Sequence, residues 1–235
     1  MKQQFKLICD KVLFFLRNYN FDWKFKLICC LPLFIFLVAF DWITKSVIQT
    51  SMSYGETKDF IPGFLNLKYI LNPGSAYGMN SDNPALAISL ASVITFLLIF
   101  VLIFVNSKTW IIGITFLFAG SFANLLARAW APSTPDGIHG GVVDFLVWDI
   151  KWFGSVPNYI FNIADVWVNI AIAYLIIRLI VTLILLLINF IKIKKGLLIQ
   201  DEDGKWISSN KDKKIPNNDS KINDSNKKSE NKENE

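Results

Sequence analysis

Hydrophobic and polar positions along the chain fall into long apolar runs separated by short polar stretches. A membrane-spanning helix needs about 20 residues. Four runs meet that length: 27–48, 84–105, 110–127 and 160–180 or longer. Arg178 interrupts the fourth after about one membrane thickness, so it is expected near the inner interface, with the apolar turns after it running on obliquely. Ahead of the first run, Phe5, Ile8, Cys9, Val12, Phe15 and Leu16 recur at helical spacing, with Lys2, Lys6, Lys11 and Arg17 off that face. This pattern predicts a basic amphipathic helix lying in the membrane interface. Between the first two runs, residues 64–71 alternate in part and are rich in strand formers, which predicts a strand or short hairpin. From Leu198 the chain is Lys, Asn, Asp, Ser and Glu, too polar to repay the entropy of ordering, and a disordered tail is expected. The fold class is therefore an all-α membrane protein: four transmembrane helices, a small extracellular β/loop subdomain, an N-terminal amphipathic arm at 1–26, a core at 27–191, and a basic juxtamembrane stretch with a disordered tail at 192–235.

Composition sharpens this in one respect. Of 235 residues 53% are hydrophobic and only 18% charged, with mean hydropathy +0.39, against about 25% charged residues in soluble domains. The net +5 is concentrated at the termini and forms no basic stripe with interleaved base-reading residues, so no nucleic-acid partner is expected. Cys9, Cys29 and Cys30 show no metal or disulfide spacing and read as buried thiols. His139, in a glycine-rich turn, is expected to face solvent.

Lysines and arginines orient the spans. The arm carries six (Lys2, Lys6, Lys11, Arg17, Lys24, Lys26), and Lys192, Lys194 and Lys195 follow the fourth span. The two long loops carry two each, Lys58 with Lys68 and Arg128 with Lys151. Both termini are accordingly expected on the cytoplasmic side of the cell membrane, which brings Asp41, Asn72, Arg128, Asp144 and Asp165 toward the outer face.

Asp144 and Asp165 stand in apolar surroundings, Val-Val-Asp-Phe-Leu and Ile-Ala-Asp-Val-Trp. A carboxylate at hydrocarbon depth costs roughly 2.5–3.5 kcal/mol on insertion scales and marks a functional site with a partner to be found. Each is the natural partner of the other. Two carboxylates at close range share a proton, so one serves as base and the other as acid, as hydrolysis of a peptide bond requires. Asp41 and Lys45 lie four apart on one helix face and can form an ion pair.

Five blocks, in order, resemble those of the lipoprotein signal peptidase (signal peptidase II) family. Asp41-Trp-Ile-Thr-Lys45 is similar to its Asp-Gln-x-x-Lys block, and Asn72-Pro-Gly74-Ser-Ala-Tyr77 to its Asn-x-Gly-x-Ala-Phe block. Gly120-Ser-Phe-Ala-Asn124-Leu-Leu-Ala-Arg128 resembles Gly-x-x-Gly-Asn-x-x-Asp-Arg. Gly141-Val-Val-Asp144-Phe145 and Phe161-Asn162-Ile-Ala-Asp165 resemble the blocks that carry the catalytic aspartates. The resemblance implies a membrane aspartic endopeptidase, needing no metal or other cofactor, that cuts prolipoproteins before a diacylglyceryl-modified cysteine. It implies catalysis by Asp144 and Asp165, a substrate site lined by Asn72, Gly74, Asn124, Arg128 and Asn162, and bracing by Asp41 and Lys45. The partners implied are diacylglyceryl-modified prolipoproteins and membrane lipids, with the enzyme acting as a monomer. Ala123 and Ala127 depart from the family's Gly and Asp, and residues around 130–141 form an extra loop. Asp136 in that loop is a candidate to replace the missing acid beside Arg128. Two other readings are a degenerate relative that binds precursors without cutting and a small proton-coupled transporter. The transporter would need polar residues along a path across the spans, whose inner halves carry almost none.

Overall fold

Four helices long and apolar enough to cross a membrane dominate the computed structural model, which describes residues 2–74, 83–133, 135, 137, 139–150, 159–200 and 206–208. The chain divides into two compact units, Met1–Arg178 and Leu179–Glu235. In the first, helix α1 (Lys2–Asn18) is followed by a single turn α2 (Trp23–Phe25), a π-helical turn (Lys26–Cys30) and α3 (Leu31–Ser51). Strands β1 (Thr57–Ile61) and β2 (Leu65–Asn72) lead to α4 (Pro84–Phe104) and α5 (Lys108–Trp130). Strands β3 (Val142–Trp148) and β4 (Ile160–Phe161) precede α6 (Ile163–Lys194).

Local chemistry sets the boundaries. Asn83 caps α4 by accepting the Leu86 N–H at 3.1 Å, and Pro84 fills a first-turn position where no N–H is needed. Helix α5 packs against both α3 and α4. Small residues on its buried face, among them Ala119, Gly120, Ala123 and Ala127, permit the close backbone approach on which packing in a membrane depends. At Gly120 an added Cβ would stand 2.5 Å from the carbonyl oxygen of Ala164 and 2.6 Å from Val168, so α5 and α6 meet there backbone to backbone.

The four strands form one antiparallel sheet in the order β1-β2-β3-β4. A buried cluster joins Tyr69, Leu71, Val143, Phe145, Leu146 and Phe161 of the sheet to Ile48 and Met52 at the end of α3. The sheet therefore sits on the end of the first span and carries β3 over the mouth of the bundle.

At the other end of the bundle, the last carbonyls of α4 are acceptors with no N–H of the next helical turn to bond. The Tyr19 hydroxyl donates to the Phe104 oxygen, and Lys26 Nζ donates to the Ile103 oxygen at 2.7 Å. Rings of Phe15, Tyr19, Phe21, Trp23 and Phe104 pack in a chain around these bonds.

Several expectations change in detail. Ile160 and Phe161, read as the start of the fourth span, pair with Val147 and Leu146 as β4, and the helix starts at Ile163. Arg178 lies within that helix, and its Nη2 donates to Thr109 Oγ1 at 3.0 Å, beside the start of α5. The apolar stretch around Asp144 is a strand, which short apolar runs alone do not reveal. Only Cys30 is a buried thiol; Cys9 is half-buried and Cys29 exposed. His139 is exposed, 2.8 Å from the Ser133 hydroxyl. The second unit holds the last turns of α6 and a hairpin of β5 (Leu198–Gln200) with β6 (Trp206–Ser208), in a stretch that sequence read as without elements.

Candidate active site

The candidate side chains arrive on five elements. Asp41 and Lys45 lie on α3, Asn72 ends β2, Asn124 and Arg128 lie near the end of α5, Asp144 is on β3, and Asn162 and Asp165 open α6. Asp144 is buried because both faces of β3 are covered along its first five residues, and it lies on the face opposite Val143 and Phe145, where it meets Asn72 and Asn162. Asn162 stands just ahead of α6, where its side-chain oxygen accepts the Asp165 N–H at 3.0 Å and caps the helix.

Every oxygen of the two carboxylates accepts an N–H. Asp144 Oδ1 takes the Asn162 amide at 2.6 Å and Oδ2 the Asn72 amide at 3.0 Å. Asp165 Oδ1 takes the Asn124 amide at 2.8 Å and Oδ2 the backbone N–H of Asn162 at 3.0 Å. Asn162 thus holds both aspartates, one through its side chain and one through its main chain. Burial, and after it the charge of Asp165, pushes the Asp144 carboxyl well above the ordinary carboxylate range, against the opposing effect of the Asn72 and Asn162 donors. Asn72, Asn124, Arg128, Val142, Asp144, Asn162 and Asp165 enclose a cavity of about 40 Å³, enough for at least one water.

A second layer fixes the first. Lys45 Nζ is 2.7 Å from Asp41 Oδ2 and donates to Asn124 Oδ1 at 2.9 Å, which leaves the Asn124 amide to face Asp165. Asp41 Oδ1 accepts the Ala164 N–H at 2.8 Å, joining the first span to the start of the last. Both ions of the pair are buried, a placement that is stable only when each is fully hydrogen-bonded.

Arg128 is engaged by backbone. Its Nη1 donates to the oxygen of Gly140 at 2.9 Å and lies 3.4 Å from that of Pro73, and Nη2 donates to the oxygen of Gly74. One guanidinium therefore ties the strand end at Asn72 to the turn before β3. Gly140 has φ +80°, and an added Cβ would stand 2.6 Å from Ile88, so this turn requires glycine. Gly74 also donates its N–H to Asn72 Oδ1 at 2.9 Å, which orients the Asn72 amide toward Asp144.

All nine residues singled out from sequence occur in this network. Asp41, Lys45 and Gly74 act from behind the cavity and the other six line it. Tyr77 and Asp136 lie outside the described residues. The carbonyls of Pro73, Gly74 and Gly140 and the N–H of Ala164 escaped the sequence reading, since backbone groups leave no residue-type signal.

A model of the family described as signal peptidase (SPase) II matches residues 33–181, the whole stretch that supplies the site. The chain belongs to the signal peptidase II family. Lipoprotein signal peptidases of Fusobacterium nucleatum and Staphylococcus haemolyticus are 30% and 31% identical to it. The first alignment covers 62% of this chain and 82% of the relative, the second 66% and 93%. The lipoprotein signal peptidase of Staphylococcus aureus is 33% identical over 62% of this chain and 83% of its own. Two solved structures described as bacterial membrane enzymes superpose with TM-scores of 0.52 and 0.51 at 32% and 30% identity. Each covers 64% of this chain, and 87% and 91% of the other. The protein is thus a multi-pass membrane peptidase of the kind that removes signal peptides from prolipoproteins, and the binding-only and transporter readings are not favoured.

Proposed function

We propose that this signal peptidase II is an aspartic endopeptidase whose catalytic pair is Asp144 and Asp165. The observation that carries the proposal is a water-sized cavity bordered by a buried carboxylate, Asp144, and a half-buried one, Asp165, whose four oxygens all accept N–H bonds. Asp144, with its raised proton affinity, is the member that holds the proton, and Asp165 is the base that activates water. As water attacks, negative charge grows on the scissile carbonyl oxygen, and the protonated Asp144 donates to it. Asn72, Asn124 and Asn162 keep the two carboxyls in register, so that little reorganisation is needed during the step.

The substrate of this reading is a prolipoprotein cut before its diacylglyceryl-modified cysteine. A site at the sheet-covered end of four apolar helices supports it, because a lipid-anchored cysteine is held at that depth. The charge distribution supports both termini on the cytoplasmic side and the site at the outer face. That one chain supplies every residue of the network supports a monomeric enzyme. The test is cleavage of a diacylated prolipoprotein by the reconstituted protein, with the product mass read directly. Cleavage before the lipidated cysteine by wild type, lost in Asp144→Asn and Asp165→Asn, is the expected result. Turnover retained in either variant removes that residue from the pair.

A further inference from the structure

Helix α1 lies outside the part of the chain that the family model matches and contributes nothing to the site. Its sequence nevertheless builds a sided surface. At 3.6 residues per turn, Phe15, Ile8, Val12, Phe5, Leu16, Cys9 and Leu13 fall on one continuous arc. Lys6 and Arg17 stand at one edge of that arc and Lys11 near the other, while Leu7 and Phe14 fall outside it. Phe5, Ile8, Val12 and Leu13 are at least half exposed, so no described element covers the arc.

The structure also fixes where this surface is held. Tyr19, just after α1, donates to the last carbonyl of α4, and Lys26 donates to the one before it. Lys108 stands over the Phe25 ring at 5.5 Å, so the start of α5 belongs to the same junction. From there to Arg128 the helix rises about 30 Å at 1.5 Å per residue. The arm is therefore fastened at the end of the bundle opposite the site, at headgroup level, where an aromatic cluster of Phe15, Tyr19, Phe21 and Trp23 is at home.

We propose that α1 is an in-plane anchor that buries its apolar arc in the leaflet opposite the active site and selects anionic phospholipid. The apolar arc continues the lipid-facing surface of the spans, and the cations at both of its edges lie where headgroup phosphates run. The charge arrangement favours lipid over a second copy of the chain. Two arcs packed face to face would crowd Lys6, Lys11 and Arg17 of both copies with only one Asp10 on each to offset them, whereas an anionic leaflet neutralises all three cations. The inference does not depend on which residues catalyse, nor on which side of the cell the site faces.

Hydrogen–deuterium exchange of the full-length protein in lipid nanodiscs tests it, with phosphatidylcholine alone or with one third phosphatidylglycerol. Amides of residues 4–18 are expected to exchange more slowly in the anionic discs, by roughly fivefold for each cation engaged, and added salt should erase the difference. Lys6→Gln with Lys11→Gln and Arg17→Gln should remove the dependence on lipid charge, while detergent-phase cleavage at the wild-type rate shows that this variant is folded. Val12→Asp should lose protection in both lipids. Equal exchange of the wild type in the two disc types overturns the lipid selectivity. Protection seen only in discs that hold two protein copies overturns the lipid occupant in favour of self-association.

Discussion

Asn162 donates its side-chain amide to Asp144 Oδ1 at 2.6 Å. Because the same residue donates its main-chain N–H to Asp165 at 3.0 Å, the separation of the two carboxyls is set by one asparagine at a strand-to-helix junction. Loss of either aspartate's charge should therefore leave the frame standing while removing the chemistry. Asp144→Asn and Asp165→Asn are expected to lower the cleavage rate by roughly 10²–10⁴-fold, with membrane insertion and thermal unfolding close to wild type. Unfolding at much lower temperature in either variant would point to a structural role.

The rate should follow a bell in pH, with both limbs belonging to the pair jointly. Burial raises the Asp144 pKa and the Asn72 donor lowers it. The protonated form is therefore retained to higher pH than in a free aspartate, and activity falls as pH rises through the raised pKa. Asn72→Ala removes a bond that favours the charged form, so it should move the alkaline limb of the surviving activity upward. An unmoved or lowered limb contradicts the assignment of the acid.

Arg128 and Gly140 should behave as one device. Arg128→Lys loses the planar fork that reaches Gly74 and Gly140 together. Gly140→Ala strains a left-handed turn pressed against Ile88. Each releases the same loop, and each should reduce cleavage by roughly 10- to 100-fold through misplacement of the asparagines and aspartates. The double variant should fall well short of the product of the two losses; fully multiplicative losses in a cycle on cleavage rate would mean that the two act apart.

The buried pair of Asp41 and Lys45 predicts a stability effect. Lys45→Met leaves Asp41 buried without its counter-ion, at a cost of about 3–5 kcal/mol. Asp41→Asn added to it removes the stranded charge and keeps an acceptor for the Ala164 N–H, so the double variant should melt above the single one. Thermal unfolding in detergent measures this order, and the reverse order would show that the charge of Asp41 matters more than its acceptor.

Orientation has its own measurement. A cysteine placed at the exposed Ser53 should react with an impermeant thiol reagent from outside intact cells, whereas tags at residues 1 and 235 should stay protected. External access to either tag would reverse the assignment drawn from the lysine distribution.

What could be read from sequence follows from how far each signal extends. The spans are visible because some twenty apolar residues leave few alternatives. Asp144 and Asp165 stand out because acids are costly among Val, Ile, Phe and Trp. Strand β3 was hidden, since Val142–Trp148 is buried on both faces and shows no alternation. The clasp at Arg128 was hidden for another reason: its partners are carbonyls of Pro73, Gly74 and Gly140, and every residue has a carbonyl. Tyr19 and Lys26 read only as an aromatic and a cation, and their role as caps on α4 depends on a helix end 85 and 77 residues away.

The bond from Asp41 to the Ala164 N–H spans 123 positions of the chain, and this bears on the order of events during biosynthesis. Asp41 is delivered into the membrane with the first helix, long before α6 has been made. Its only charge partner available then is Lys45, one turn away on the same helix and at 2.7 Å in the finished protein. A helix that carries its own counter-ion can enter the bilayer at a lower cost than one bearing a bare carboxylate. Asp41 Oδ1 then stays unoccupied until the last span arrives to claim it. On the proposed assignment the nascent peptidase is also without its catalytic pair at that stage, because Asn162 and Asp165 stand at the opening of the last span and are made only after the first three.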